Sequence, residues 1–176
     1  MSATVRRFLP EQQLLHLALH MRKHRYVGLR WLADVAELLR RFQETLDWRY
    51  LVTTARAAGL QTLLYTGISL AREYFDAPCP TEPLHALTPS AVRRRLLQSV
   101  LTQDALMTPV EMDDAGWTHL APAEVLLLDK PSAMARELRY RLFPPADRLA
   151  GPDRAGNRMS LYASRLVQRT TTLLRR

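Results

Sequence analysis

The fold is decided by the stretch LLHLALHMRKHRYVGLRWLADVAELL, residues 14–39. At about 100° per residue, its first half places a broad apolar arc on one side of a helix. Three histidines spaced four residues apart fall together on the opposite side: His16, His20 and His24. Since Gly28 is a turn residue, the pattern predicts a helix that begins near Pro10 and ends near residue 24.

A second amphipathic helix is predicted from about Leu29 to Phe42. Its narrow apolar stripe includes Trp31, and Arg30 and Asp34 lie at the edge of that stripe, four residues apart. An ion pair at this helical spacing contributes only about 0.3–0.5 kcal/mol. Alternatively, Asp34 is partly buried and paired across helices with Arg30 or a histidine, because a buried carboxylate needs a partner.

The middle of the chain is predicted to form three more helices. Asp47 is suited to cap a third helix, and Gly59 is suited to end it. A fourth helix covers residues 60–75 and stops before DAPCPTEP, whose three prolines cannot continue it. Ser90 is suited to cap a fifth helix over residues 91–107.

Helical patterns continue to the end of the chain. One region runs from about residue 123 to 143 and is interrupted near Pro131, and a last helix covers about residues 158–174. No run alternates as a strand would, so we expect an all-α bundle of about six to eight helices with short loops. We expect a single helical domain over residues 1–176, with a core at 8–107 and a looser helical extension at 122–176.

Bulk properties point to a protein of the cytoplasm. A chain of 176 residues suits one domain, and no stretch approaches the ~20 apolar residues of a membrane span. The first residues lack the apolar core of a signal peptide. Cys79 is the only cysteine, so no internal disulfide forms, as expected in a reducing compartment. Without a Cys-His pair in the sequence pattern, we interpret Cys79 as an ordinary residue.

The excess of positive charge has two interpretations. Lys and Arg number 25 against 17 Asp and Glu, a net charge of +8. This charge serves solubility, or it serves an acidic partner such as a nucleotide, nucleic acid or membrane surface. The predicted last helix carries a narrow basic arc beside an apolar face, which is typical either of an anion-binding helix or of a docked helix with a solvated side. Its arginines are Arg158, Arg165, Arg169 and Arg176.

Three roles are open for the histidines. Histidines at i and i+4 on one helix can share a metal ion if a third ligand is supplied. However, His20-Met21-Arg22-Lys23-His24 lacks the glutamate of zinc proteases, and its cations would repel a metal ion. Alternatively, the histidine side contacts a phosphate-bearing substrate with help from nearby lysine and arginine. The third role is structural, as the polar side of a helix.

Two runs carry a family resemblance: FLPEQQLLHLALHMRKHRYVGLRWLADVAELLRR, residues 8–41, and LDWRYLVTTARAAGLQTLLYTGISLAREYFDAPCP, residues 46–80. Together they resemble the helical C-terminal region of the uncharacterised bacterial nucleotidyltransferase family. MARELRYRLFPPADRL, residues 134–149, resembles the tail of such proteins more loosely. The resemblance implies that His16, His20, His24, Arg30 and Asp34 face the cleft against a catalytic domain and bind substrate, or fix the first two helices to each other.

The same resemblance places the family's chemistry outside these helices. In the family, an N-terminal α/β domain with a glycine-containing turn and an Asp-x-Asp pair holds Mg²⁺ and the NTP phosphates. This sequence has no such turn and no P-loop. Its consecutive pair Asp113-Asp114 would point to opposite faces of a strand. We therefore assign no catalytic residue and no metal ligand, and expect Mg²⁺ and NTP only where a catalytic domain is supplied elsewhere.

The sequence thus favours a helical substrate-binding or docking domain of a nucleotidyltransferase-like protein, which is not catalytically complete alone. Expected partners are a nucleotidyltransferase catalytic domain, another protein, or a second copy of the chain. The alternative is a non-enzymatic helical module that binds nucleic acid or an acidic surface through Arg158, Arg165 and Arg169; a nucleic-acid partner is the less favoured of these expectations. A metal-dependent enzyme built on the three histidines is the third hypothesis.

Overall fold

The computed structural model describes residues 8–24, 29–107 and 121–142, and all regular structure in these ranges is α-helical. The expected all-α bundle is therefore confirmed. In this part of the chain no helix combines the length and the apolar composition that a membrane crossing requires. The helices are α1 (Pro10–Lys23), α2 (Arg30–Phe42), α3 (Trp48–Ala58), α4 (Gln61–Phe75), α5 (Thr81–Leu87), α6 (Ala91–Val100), α7 (Gln103–Met107), α8 (Ala121–Leu126) and α9 (Pro131–Leu142).

The first four helices lie where the sequence predicts them, and local chemistry fixes their ends. Asp47 Oδ1 accepts a hydrogen bond from the Tyr50 amide at 2.8 Å, which caps α3. Gly59 has a φ of 71°, the left-handed conformation that ends α3. The predicted turn residue Gly28 lies outside the described residues.

The middle of the chain differs from the prediction in two ways. Helix α5 was not predicted, and Pro83 is compatible with it because it lies in the first turn, where proline is tolerated. The single helix predicted over residues 91–107 is two helices. It starts as expected, since Ser90 Oγ accepts from the Arg93 amide at 3.4 Å. It then ends at Val100, and Thr102 Oγ1 accepts from the Ala105 amide at 3.3 Å as α7 begins.

The main core lies where α1, α2 and α4 pack against one another. Gly67 of α4 permits a close approach to α1, because a Cβ atom there would lie 2.5 Å from Met21 Cε. Buried Glu11 joins α1 to α3 by accepting from the Asp47 amide at 2.7 Å. The largest fully buried side chains of these four helices are Leu14, Met21, Val35, Leu39, Leu51, Leu63, Leu64 and Ile68.

Residues 121–142 are bonded to the earlier helices. Asp129 lies between α8 and α9 and accepts from the Thr62 amide at 3.1 and 3.2 Å, at the start of α4. The Thr62 hydroxyl also donates to Asp129, and Arg93 Nη1 lies 3.3 Å from the same carboxylate. Arg22 of α1 pairs with Glu137 of α9 at 3.3 Å. Residues 108–120 and 143–176, which include the predicted final helix, lie outside the described residues.

Candidate functional site

Four predicted site residues form one continuous surface with Trp31 of α2. The ring centroids of His16 and His20 are 5.8 Å apart, and those of His20 and His24 are 4.3 Å apart. Trp31 lies beside both later histidines, edge-on to His20 at 4.3 Å and stacked on His24 at 5.1 Å. The Arg30 guanidinium lies 4.3 Å from the Trp31 ring centroid. We call His16, His20, His24, Arg30 and Trp31 the histidine surface.

The positions of these residues follow from the two helices that carry them. A spacing of four residues aligns the histidines along α1, since side chains at i and i+4 share one face. The first turn of α2 lies beside the last two of these histidines. Trp31 is half-buried and packs against the core, as expected of a core-edge aromatic. Its contact with the histidines could not be predicted, because it depends on how α2 packs against α1.

The histidine surface is electropositive. Burial among its neighbours lowers the pKa of His20, and the positive charges of His24, His16, Lys23 and Arg30 lower it further. His20 is therefore a neutral ring at neutral pH, close to the positive charges of Lys23 and Arg30. The surface combines stacked rings, imidazole N–H groups and a guanidinium. The N–H groups and the guanidinium can donate hydrogen bonds to a phosphate, and the rings can stack on a planar group.

The alternative in which Asp34 is buried and paired across helices is wrong. It is exposed on α2, and no ion pair joins it to Arg30 or to a histidine within the described residues. Arg30 instead lies over Trp31, because the indole face offers a cation–π contact at this position. The carboxylate is therefore free to meet a ligand from solvent, and its predicted part in substrate binding stays a prediction.

The arrangement gives no support to a metal centre. In the ranges 8–24, 29–107 and 121–142, no group of three or more His, Cys, Asp or Glu side chains is placed to hold a metal ion. The consecutive acidic pair Asp113-Asp114 lies outside those ranges, as do the proposed anion-binding residues Arg158, Arg165 and Arg169.

Cys79 is not poised as a nucleophile. Burial raises the pKa of its thiol to about 11, although the positive charge of Arg72 lowers it slightly. A thiol with such a pKa is protonated at neutral pH, and the thiolate is the reactive form. Its sulfur lies 3.4 Å from the carbonyl oxygen of Pro80. The interpretation of Cys79 as an ordinary residue agrees with this environment.

The histidine surface lies on α1 and α2, within the part of the chain that resembles known proteins. Residues 1–76 match the model of a family described as an uncharacterised nucleotidyltransferase. The match thus covers α1 to α4 and stops at Asp76, the residue that caps α4. No curated protein and no solved structure matches the chain. The nucleotidyltransferase-like resemblance is therefore supported for this part, while α5 to α9 follow it.

No pattern in the sequence points to a second feature, a cleft between α4 and the α6–α7 segment. Its lining residues come from positions 65–74 and 94–103, which no motif connects. The polar residues on each wall are visible in the sequence. That the two walls face each other depends on the break between α6 and α7. That break was itself not predicted.

Proposed function

We propose that this chain is the helical part of a nucleotidyltransferase-like protein and presents the histidine surface to a phosphate-bearing substrate. The observation that carries the proposal is the coincidence of the family match with this surface. Residues 1–76 match the family model, and all five residues of the surface lie within that range. The histidines, Arg30 and Trp31 are also the largest cluster of contacting aromatic and cationic groups among the described residues.

In this proposal the surface positions a substrate and performs no bond-making step. Arg30 offers donors to phosphate oxygens, and the imidazole N–H groups of His16 and His24 offer further donors. Trp31 contributes a flat apolar face on which a ring can stack. Exposed Asp34 accepts hydrogen bonds from hydroxyl or amino groups of the same substrate. Phosphate binding, ring stacking and hydrogen bonding by Asp34 can all take place without a metal ion bound to this chain.

The transfer itself needs groups from elsewhere. Two Mg²⁺ ions that neutralise a triphosphate and align the attacking group require several converging carboxylates. Asp34 alone cannot hold two such ions, and no group of carboxylates placed to hold a metal ion is present in the described part of the chain. We therefore propose that a catalytic domain, in another part of the protein or in a partner chain, supplies Mg²⁺ and NTP. The histidine surface would then close one side of the joint site.

Isothermal titration calorimetry tests the proposal. The chain is titrated with ATP, CTP, GTP and UTP, each with and without Mg²⁺. We expect weak binding, with a Kd of about 1 mM, that does not need Mg²⁺ and is strengthened when the histidines protonate. Tight binding of one NTP that requires Mg²⁺ would contradict the need for a separate catalytic domain. The absence of any binding would contradict the phosphate contact and leave only the docking role.

A matched pair of variants locates the contact. Arg30→Gln should abolish the weak NTP binding, because it removes the guanidinium above Trp31. Arg41→Gln is the control, since Arg41 is also an exposed arginine of α2 and lies over Phe42, 5.5 Å from its ring centroid. Equal losses from both variants would show that only net charge matters and would contradict a defined site.

The alternative function is anion binding through the C-terminal arginines, and it is favoured by the net charge of +8. Binding to nucleic acid or to acidic vesicles should then weaken steeply with salt, because phosphate contacts release counterions. Replacing Arg158, Arg165 and Arg169 together by Gln should abolish this binding. Retention of salt-sensitive binding in that triple variant would contradict this alternative.

A further inference from the structure

A cleft of about 440 Å³ separates α4 from the α6–α7 segment. Its volume falls within the range of about 300–1,000 Å³ that is usual for small-molecule sites. Three buried leucines line its apolar part: Leu70 from α4, and Leu97 and Leu101 from the end of α6. The cleft is on different elements from the histidine surface, and its use does not depend on the proposed function.

Polar residues also line both walls of the cleft. Helix α4 contributes Tyr65, Ser69, Glu73 and Tyr74, and helix α6 contributes Arg94 and Gln98. Because residues 65, 69 and 73 are four apart, they lie in one row along α4. The row therefore carries an aromatic ring, a hydroxyl and a carboxylate along a single wall.

The two charged groups of the cleft are not paired with each other. Glu73 and Arg94 belong to opposite walls, and no ion pair joins them within the residues that the structure describes. Neighbouring Arg93 is different, since it is bonded to Asp129 and Thr62 at 3.3 Å. Consecutive arginines of the RRR run at 93–95 therefore have different surroundings: Arg93 stabilises the fold, and Arg94 lines the cleft.

Two further groups of the cleft are suited to hydrogen bonding with a ligand. The Ser69 hydroxyl oxygen is buried and has no hydrogen-bond partner among the described residues, whereas buried polar atoms usually have one. Burial and the carboxylate of Glu73 raise the pKa of Tyr74, so its phenol stays protonated and can donate. Both groups lie on the α4 wall beside Glu73.

We propose that this cleft binds a small zwitterion, an α-amino acid or a dipeptide with an apolar side chain. The ammonium group faces Glu73 and the nearby tyrosine rings, where ionic and cation–π contacts favour a cation. The carboxylate faces Arg94, whose guanidinium matches its two oxygens. The apolar side chain covers the leucines. A nucleoside triphosphate fits less well, because its several negative charges would meet one arginine and would be repelled by Glu73.

The experiment measures binding of leucine, phenylalanine and the dipeptide Leu-Leu to the full chain by calorimetry and by NMR shift perturbation. N-acetyl-leucine, which lacks the ammonium charge, and leucinamide, which lacks the carboxylate, are the matched compounds. We expect saturable binding of at least one zwitterion with a Kd of about 1 mM or tighter. Each matched compound should bind at least about tenfold more weakly than leucine, because one charged contact is lost.

Two variants test which residue contacts the carboxylate of the ligand and which contacts its ammonium group. Arg94→Gln should make leucine and leucinamide bind equally, and Glu73→Gln should do the same for leucine and N-acetyl-leucine. Arg95→Gln and Glu82→Gln are the controls, since both residues are exposed and neither lines the cleft. An unchanged thermal midpoint checks that each variant folds, and Ser69→Leu, which fills the cleft, should abolish binding in a chain whose two charges are intact.

The proposal is overturned if no zwitterion binds saturably, if the matched compounds bind as well as leucine, or if the control variants weaken binding as much as Arg94→Gln. None of these outcomes affects the NTP titration. That titration uses different ligands and variants of the histidine surface, so failure of one proposal is distinguishable from failure of the other.

Discussion

Replacing Asp129 by alanine should destabilise the whole bundle, although Asp129 lies outside the part that matches the family model. Its two carboxylate oxygens share the single N–H of Thr62, at 3.1 and 3.2 Å, and one of them also accepts from the Thr62 hydroxyl. It also pairs with Arg93 at 3.3 Å. Thr62 is the second residue of α4, so its amide has no partner within that helix. Asp129 therefore caps α4 from a distant part of the chain.

The expected loss can be worked out from these contacts. Removal of a helix cap costs about 0.5–2 kcal/mol, and the upper half applies here because the acceptor is charged and bonds Thr62 twice. The side chains of Arg93 and Asp129 are 24% and 20% exposed, so the ion pair is partly screened and adds at most about 1 kcal/mol. The sum predicts that Asp129→Ala lowers the free energy of unfolding by about 1–3 kcal/mol. Asp129→Asn keeps an oxygen acceptor and should lose about half as much.

Urea denaturation followed by circular dichroism measures this change as a shift of the unfolding midpoint at constant slope. Asp34→Ala is the matched control: Asp34 is exposed and unpaired within the described residues, so its loss should stay within about 0.5 kcal/mol. The double variant with Arg93→Ala should cost less than the sum of the single variants, because the two residues share a bond. If Asp129→Ala and Asp34→Ala shift the midpoint equally, the capping role is refuted.

Three further variants test other features of the fold by urea denaturation or thermal unfolding. Gly59→Ala should lower the free energy of unfolding by about 1–2 kcal/mol, because a side chain is disfavoured at its φ of 71°; no loss would contradict that conformation. Gly67→Leu should lower the free energy of unfolding by about 1–3 kcal/mol, because its side chain would need space that Met21 Cε, 2.5 Å from the position of a Cβ atom, already occupies in the core; an unchanged midpoint would contradict the close approach of α1 and α4. The pKa of His20 is lowered from 6.5 on folding, so the unfolded chain binds the proton more tightly and stability falls as pH drops from about 6.5 through the folded pKa. His20→Gln should remove this part of the pH dependence, and an identical slope in the variant would contradict the assignment.

The sequence predicts helices well where local signals and tertiary packing agree. Asp47 and Gly59 bound α3 as expected, since a cap and a left-handed stop act within a few residues. Ser90 likewise marks the start of α6. Helices are missed where one residue type is compatible with two different local structures. Pro83 marks a helix breaker in a sequence pattern, but in the first turn of α5 it is compatible with the helix.

The candidate site was predicted only in part, for a related reason. The alignment of His16, His20 and His24 follows from helical periodicity within one segment. The contact of Trp31 with two of them, and the exposure of Asp34, depend on the rotation of α2 relative to α1. Periodicity gives the angle of a residue on its own helix and says nothing of the angle between two helices. The cleft beside α4 was missed for the same reason.

Helix α4 connects the matched part of the chain with the part that follows it. It packs against α1 and α2, and Gly67 meets Met21 on that side. Its start is capped by Asp129, and residues 65–74 form one wall of the cleft whose other wall is α6–α7. The family match stops at residue 76, but α4 is completed by residues well beyond that point. A fragment that ends at residue 76 would keep the histidine surface but lose the cap of α4 and half of the cleft. We therefore expect the histidine surface to reflect what the chain shares with the matched family model, and the cleft to reflect what the residues of α6 and α7 add to it.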